Sequence, residues 1–363
     1  MYNQNMEKEY TDQLEKIEKE LERWLPGYRG SGLASFEATS AKSIWAESQF
    51  NKVVKELSDE SLRVLLAPGK DMISRGGKRW RPLLMTLICE CLGGSDAALA
   101  LTPLVEFAHT AALVHDDIED DSEERRGKAS IHKIYGVDTA INAGSFLYFL
   151  SMSCLEAYEG ENKVLIYKLF GECMRSLHLG QAIDISWHKK VAFIPTVEEY
   201  FSMCKLKTGS LSRFAAEVGA YTARASEEIA NELGNAAENL GVGFQILDDV
   251  KNLTTGINGK IRGDDIVEGK KSLPILLYLT RYPDKRESVY YCFHTAKING
   301  TAVPEVAELI HILTNTGILN EAERNGEMLV EEARKIFSSS KYISSSENHK
   351  YGILLDGFIN LIS

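Results

Sequence analysis

The sequence predicts an all-α protein built as a single large helical bundle. Three observations carry this. Only eight prolines fall in 363 residues, which leaves room for long helices. Apolar residues recur at steps of three and four, and strand-type alternation is hard to find. A length of this order is compatible with one large core.

The first element is a helix over 6–25. Tyr10, Leu14, Ile17, Leu21 and Trp24 form one apolar stripe with charges between. Pro26-Gly27 ends it, and Gly30 to Gly32 makes a loop. Residues 1–40 are therefore read as an N-terminal extension that docks on the body or on a partner chain, and 41–363 as the main domain. Within the latter, segments 44–75, 82–93, 97–121, 137–159, 161–186, 196–223, 226–255 and 272–281 suit helices. Residues 303–337 supply one or two more. Two serine triplets, 338–340 and 344–346, mark a mobile loop before a final apolar piece.

Composition narrows the function. A net charge of −11 argues against a general nucleic-acid binder, which needs a basic field. The N-terminus has no apolar signal region. The most apolar stretch, Ala97 to Val114, contains Glu106 and His109 and runs straight into His115-Asp116-Asp117, which a membrane span would not tolerate. The six cysteines have no CxxC spacing and read as thiols of a reducing compartment, the cytoplasm by default.

Charge clusters then point to chemistry. His115-Asp116-Asp117-Ile118-Glu119-Asp120-Asp121 closes an apolar helix, with Asp116 and Asp120 one turn apart on one face. Stacked carboxylates repel unless a cation lies between them, and hard oxygen ligands suit Mg²⁺. A solvated acidic helix end is the plain alternative, although negative charge there opposes the macrodipole. A second pair, Asp248-Asp249, follows Gly243-Phe244-Gln245 on another apolar helix, with Asn252 one turn beyond Asp248. Two such helices can hold several ions around one diphosphate.

Positive charge gathers in Arg75-Gly76-Gly77-Lys78-Arg79-Trp80-Arg81-Pro82, where a glycine turn meets a helix opened by Pro82. More lies in Arg125-Arg126-Gly127, in Lys205, Lys207 and Thr208, and in Gly259-Lys260 through Glu268-Gly269-Lys270-Lys271. Each could be a solvated basic loop. Together, in an acidic chain, they fit two diphosphate sites, one metal-bridged and one held directly by Arg and Lys.

The ordered set GGKRxRP, DDxxD with RRG, KT, FQxxDD and a GxD/EGK loop resembles the trans-isoprenyl (polyprenyl) diphosphate synthase family over roughly 45–290. Asp116 to Asp120, Ser130 to Gly136, and Gly180-Gln181-Ala182-Ile183-Asp184-Ile185 are most similar to geranylgeranyl diphosphate synthases. Asn252 stands where many members have a third aspartate. The resemblance implies the isoprenoid-synthase bundle with a central active-site cavity, and a Mg²⁺-dependent prenyltransferase acting as a homodimer. It implies three ions per site, with Mn²⁺ a possible substitute: Asp116 and Asp120 bind two, Asp248 the third, and Asp117 and Asp249 support them. By the same resemblance Arg125, Lys207, Thr208, Gln245, Lys260 and Lys270 hold the allylic diphosphate. Gly77, Lys78, Arg81, His109 and Arg126 hold isopentenyl diphosphate.

Released diphosphate is a plausible base, so no dedicated side-chain base is required. A class I terpene cyclase and a non-catalytic subunit of a heteromeric synthase are the competing readings, disfavoured by the second Asp pair and by retention of both pairs. Product length should depend on depth below Asp116. Ala111 and Ala112 lie one turn before it and leave the shaft open, whereas bulky aromatics there stop growth at farnesyl length in the family. Tyr148, Phe149 and His178 are the residues the resemblance places near the floor, and geranylgeranyl diphosphate is the expected product, with farnesyl diphosphate or a longer chain as the alternatives.

Overall fold

The structure, a computed structural model, describes residues 2–25, 43–189, 193–256, 261–342 and 349–362. Helix α1 (Tyr2–Trp24) carries the expected stripe, and Tyr10, Ile17, Leu21 and Leu25 are buried in the main core. Gln13 donates to both carboxylate oxygens of Glu90 at 2.9 and 3.0 Å, and Glu18 pairs with Arg79 at 2.9 Å. The stripe thus docks on the chain's own body, so it no longer argues for a second copy. The turn at Pro26-Gly27, the glycine loop and the boundary at residue 40 lie outside the described residues.

The single helix expected over 44–75 is broken. A 3₁₀ turn (Ser43–Trp45) precedes α2 (Asn51–Glu56) and α3 (Asp59–Ser74). Ser58 caps α3 by accepting from the Ser61 amide at 3.2 Å, and Asp59 and Glu60 occupy the first turn, where the dipole favours them. Next come α4 (Trp80–Cys91) and α5 (Thr102–Glu119), the latter opened by Pro103. A hairpin follows, β1 (Glu124–Arg125) and β2 (Lys128–Ala129), paired antiparallel. After it run α6 (Ile131–Tyr135), α7 (Val137–Ala157) and the long α8 (Lys163–Lys189).

The run expected over 196–223 is α9 (Val197–Cys204), a π-helical turn (Lys205–Gly209) and α10 (Ser210–Thr222). Then come α11 (Glu227–Leu253), α12 (Asp264–Glu268) and α13 (Leu273–Arg281). Helix α14 (Arg286–Asn299) was not anticipated, because its buried stripe is only Val289, Cys292, Phe293 and Ala296 among charged and aromatic neighbours. Residues 303–337 split into α15 (Pro304–Asn315) and α16 (Ile318–Phe337) at Gly317, whose φ is +74°. The last apolar piece is α17 (His349–Ile362); the serines 344–346 lie outside the described residues.

Helix α5 packs on α7, α11 lies between α10 and α16, and α4 packs on α10. The two acidic helices therefore run inside the bundle. Their C-terminal halves face one cavity of about 890 Å³.

Candidate active site

The cavity is lined by Asp116 and Asp120 from α5 and by Asp248 from α11. Asp117 and Asp249, the second members of each pair, are fully buried and turn away from it. A step of one residue rotates a helix by about 100°, so adjacent aspartates must serve different masters. Asp117 accepts from Arg125 Nε at 2.7 Å and pairs with Nη2 at 2.5 Å, which aims that guanidinium toward Asp116, 3.5 Å away. Asp249 accepts from the Tyr200 hydroxyl at 2.7 Å, from Gln245 Nε2 at 2.9 Å and from Lys270 Nζ at 2.7 Å. Gln245 in turn accepts from the Thr208 hydroxyl at 3.1 Å.

Lys207 is placed by the π-helical turn, a local widening often found where function needs a re-aimed side chain. Helix α8 comes so close that a Cβ at Gly180 would lie 2.3 Å from the Lys207 amide nitrogen. Only glycine fits there. The approach brings Lys207 Nζ within 2.6 Å of Asp184 and 3.3 Å of Asp116. Burial opposes the ammonium's charge, but Asp116 and Asp184 outweigh it and raise its pKa. Asp184 also pairs with His188 at 2.9 Å. Burial works against its ionisation, yet Lys207 and His188 hold the carboxylate well below its usual range.

Two carboxylates that face the cavity are held above their usual range. Burial, then Asp116 and Glu268, push Asp120 up to about 7, and burial followed by Asp249 raises Asp248. This donor set fits hard divalent cations. Among the described residues no three acidic, His or Cys groups form a ready-made cage, so ions here would complete their shells with water and substrate oxygens, as Mg²⁺ prefers.

A second charged group has no acidic face toward the cavity. Arg81 is buried, its Nε has no hydrogen-bond partner, and its guanidinium lies 4.3 Å over the Trp80 ring. Burial, opposed by Glu106, lowers it to about 10. Arg126 is lowered by burial as well. His109 is pushed well below its ordinary value by burial and then by Arg81 and Arg126, so it is neutral. A desolvated cationic pocket of this kind suits an anion. The Gly77 φ is +144°, and a Cβ there would lie 2.8 Å from Arg126 Nη2, so the glycine turn is shaped around that guanidinium.

The remaining sequence expectations divide. Gly77 borders the cationic group at Arg126, neither it nor Lys78 lines the cavity itself, and Lys78 acts electrostatically on Asp248. Arg79 turns inward, with φ +48°, to pair with Glu106 at 2.7 Å and with Glu18. Lys260 lies outside the described residues. Asn252 is fully buried, and its Oδ1 accepts from the Asp265 amide at 3.3 Å, so it fastens α12 and faces no ion site. Ala112 lines the cavity, but Ala111 does not. It sits in the core cluster with Leu147 and Leu150, one residue's rotation away. Tyr148 stacks on His115 (5.5 Å) and meets the tilted ring of His178 at 5.3 Å. Phe149 borders the cavity while remaining 72% exposed, so it is a flank and not a floor.

Sequence reasoning gave no role to Asp184, His188, Asp265 or Glu268, nor to the deep apolar lining of Tyr167, Phe170 and Met174. Glycine at 180 in mid-helix, beside Gln181 and four residues before Asp184, was the available signal for a close helix approach.

Residues 62–310 match the polyprenyl synthetase family. A geranylfarnesyl diphosphate synthase of Aeropyrum pernix is 32% identical over 301 residues, 80% of this chain and 92% of that protein. A geranylgeranyl pyrophosphate synthase of Neocamarosporium betae is 32% identical over 281 residues, covering 77% of this chain and 78% of the relative. Among solved structures, the geranylgeranyl pyrophosphate synthetase of Pyrococcus horikoshii superposes with a TM-score of 0.71 at 28% identity, over 89% of this chain and 97% of the other.

Proposed function

The chain belongs to the polyprenyl synthetase family and is a trans-prenyltransferase, and we propose that it joins isopentenyl diphosphate to an allylic diphosphate and makes geranylgeranyl diphosphate. The observation that carries the reading is one cavity, acidic and cationic at one end, apolar at the other, with only an alanine at 112 where the two meet. The named relatives make products of this class.

Enzymes of this family are metal-dependent. Mg²⁺ is the proposed ion, three per site, with Asp116, Asp120 and Asp248 as the ligands from this chain. When bound, it neutralises the diphosphate's charge as the C–O bond breaks. Lys207, Arg125, Gln245, Thr208 and Lys270 hold the allylic diphosphate beside the ions. Arg81, Arg126, neutral His109 and Lys78 hold isopentenyl diphosphate. The allylic C1–O bond breaks with its electron pair going to diphosphate. The terminal alkene carbon of isopentenyl diphosphate attacks C1, and one proton passes to a released diphosphate oxygen, leaving a new alkene. The side chains have to orient two anions and keep water from the cation. Tyr148, Met152, Phe170 and Met174 provide the dry wall.

The product grows along α5. Ala112 lies about 6 Å below Asp116 at 1.5 Å rise per residue, and its methyl group leaves the path open. Phe170, backed by Phe214 at 5.7 Å, and the His115–Tyr148–His178 ring cluster supply the bulk that ends it. A product one unit longer is the second reading, favoured by the likeness to the geranylfarnesyl synthase.

A homodimer is proposed as well, since α7 leaves Val137, Ile141 and Phe149 exposed. Sedimentation equilibrium showing a monomer at micromolar concentration would refute it. No described helix is long and apolar enough to cross a membrane. Six buried, unpaired thiols support the cytoplasm as its compartment. Incubation with isopentenyl diphosphate, Mg²⁺ and dimethylallyl, geranyl or farnesyl diphosphate tests the function directly. Chromatography should find the geranylgeranyl product; no condensation with any primer would sink the proposal.

A further inference from the structure

Arg75 opens the basic glycine turn, yet it lines no part of the cavity. Its side chain is completely buried. Nε and Nη2 donate to the two carboxylate oxygens of Asp71 at 3.0 and 3.1 Å. Nη1 donates to the backbone carbonyl of Arg125 at 3.1 Å and to that of Ala129 at 3.0 Å. Tyr135 adds its hydroxyl to Asp71 Oδ2 at 3.3 Å. One guanidinium therefore ties the last turn of α3 to both strands of the hairpin.

The hairpin needs such a tie. Each strand is two residues long, and an isolated two-stranded hairpin is marginal in water. Its turn puts Arg126 at φ +54° and Gly127 at +74°. Both central residues of a type I′ hairpin turn take positive φ in this way, which is unfavourable for arginine. A second fastening lies alongside, where Arg126 Nη1 donates to the Met72 carbonyl at 3.3 Å. The hairpin carries Arg125 on β1 and Arg126 in the turn, so its position sets two cations in two subsites at once.

We propose that Arg75 is a positioning residue that locks the hairpin against α3 and thereby places Arg125 for the allylic diphosphate and Arg126 for isopentenyl diphosphate. The inference rests on the roles given above to those two arginines. It predicts a signature that neither arginine produces alone, a simultaneous loss of affinity for both substrates.

The test is steady-state kinetics with thermal unfolding on Arg75→Met, Arg75→Ala, Arg75→Lys, Arg125→Met and Arg126→Met. Arg75→Met should raise both Michaelis constants, each by about tenfold, because small misplacements of binding groups are costly even when their cause is remote. Arg75→Lys should show the same double rise in weaker form, since one ammonium cannot span Asp71 and two carbonyls. Millimolar guanidinium should return Arg75→Ala toward wild-type affinity. Arg125→Met should act mainly on the allylic substrate and Arg126→Met mainly on isopentenyl diphosphate. If Arg75→Met fails to fold, Arg75→Lys supplies the reading. A lower melting temperature and a smaller active fraction with both Michaelis constants unchanged would overturn the inference, the two subsite assignments standing. If Arg125→Met and Arg126→Met themselves leave both constants unchanged, the subsite assignments fall, and the inference with them.

Discussion

The two ends of the cavity are built on opposite principles. Around the acidic pairs the charged groups are held by one another: Asp117 aims Arg125, Asp249 aims Lys270 and Gln245, and Asp184 holds Lys207. Buried charges demand such partners, because an unpaired one costs several kcal/mol. The apolar end has no comparable network. Ala112, Phe170 and Met174 meet the cavity through van der Waals surface alone, and what matters there is volume.

The contrast also sorts what could be read from the sequence. The charged end was legible because its chemistry requires fixed residue types at helical spacing: Asp116 with Asp120, Gln245 before Asp248, arginines at a glycine turn. The supporting residues were partly legible, since Gly180 in mid-helix marks a close approach. The apolar end was not. Any of several hydrophobic residues fills a given volume, so Tyr167, Phe170 and Met174 carry no signature, and Ala111 and Ala112 differ only by the rotation of one helical step. The helices were found from their stripes. The breaks at Ser58 and Gly317, the π-helical turn and α14 came from caps, positive φ and tertiary contact that weak periodicity does not reveal.

The largest expected effect breaks the charged end outright. Asp116→Ala or Asp248→Ala should cut turnover by about 10²–10³ or more, since an electrostatic contact made chiefly in the transition state is lost. Circular dichroism should remain that of the wild type, and excess EDTA should abolish activity. Wild-type turnover in either variant, or in EDTA, would contradict the metal reading.

Arg81→Met should act more selectively. It removes a buried cation with no acidic partner facing the cavity, so the Michaelis constant for isopentenyl diphosphate should rise by about tenfold or more. The allylic constant should move little. Equal rises in both would merge the two subsites into one.

A third variant separates packing from chemistry. Ile17→Ala on α1 opens a cavity in the main core and should cost about 2–5 kcal/mol in denaturant unfolding. Product length and both Michaelis constants should be unchanged in the folded protein. A change in product length would mean that α1 reaches the cavity wall after all.

At the apolar end, Phe170→Ala should lengthen the product by removing bulk while leaving turnover within a few-fold, because no charged group changes. A spectrum identical to wild type would place the floor on the His115–Tyr148–His178 ring cluster instead.

The division of labour is tested most directly by the product spectrum of Ala112→Phe. An aromatic ring there should fill the path below Asp116 and shift the main product from geranylgeranyl to farnesyl diphosphate, with the affinity for isopentenyl diphosphate preserved. An unchanged product length in a folded, active variant would contradict the account, because the growing chain would then have to take a route that does not pass Ala112.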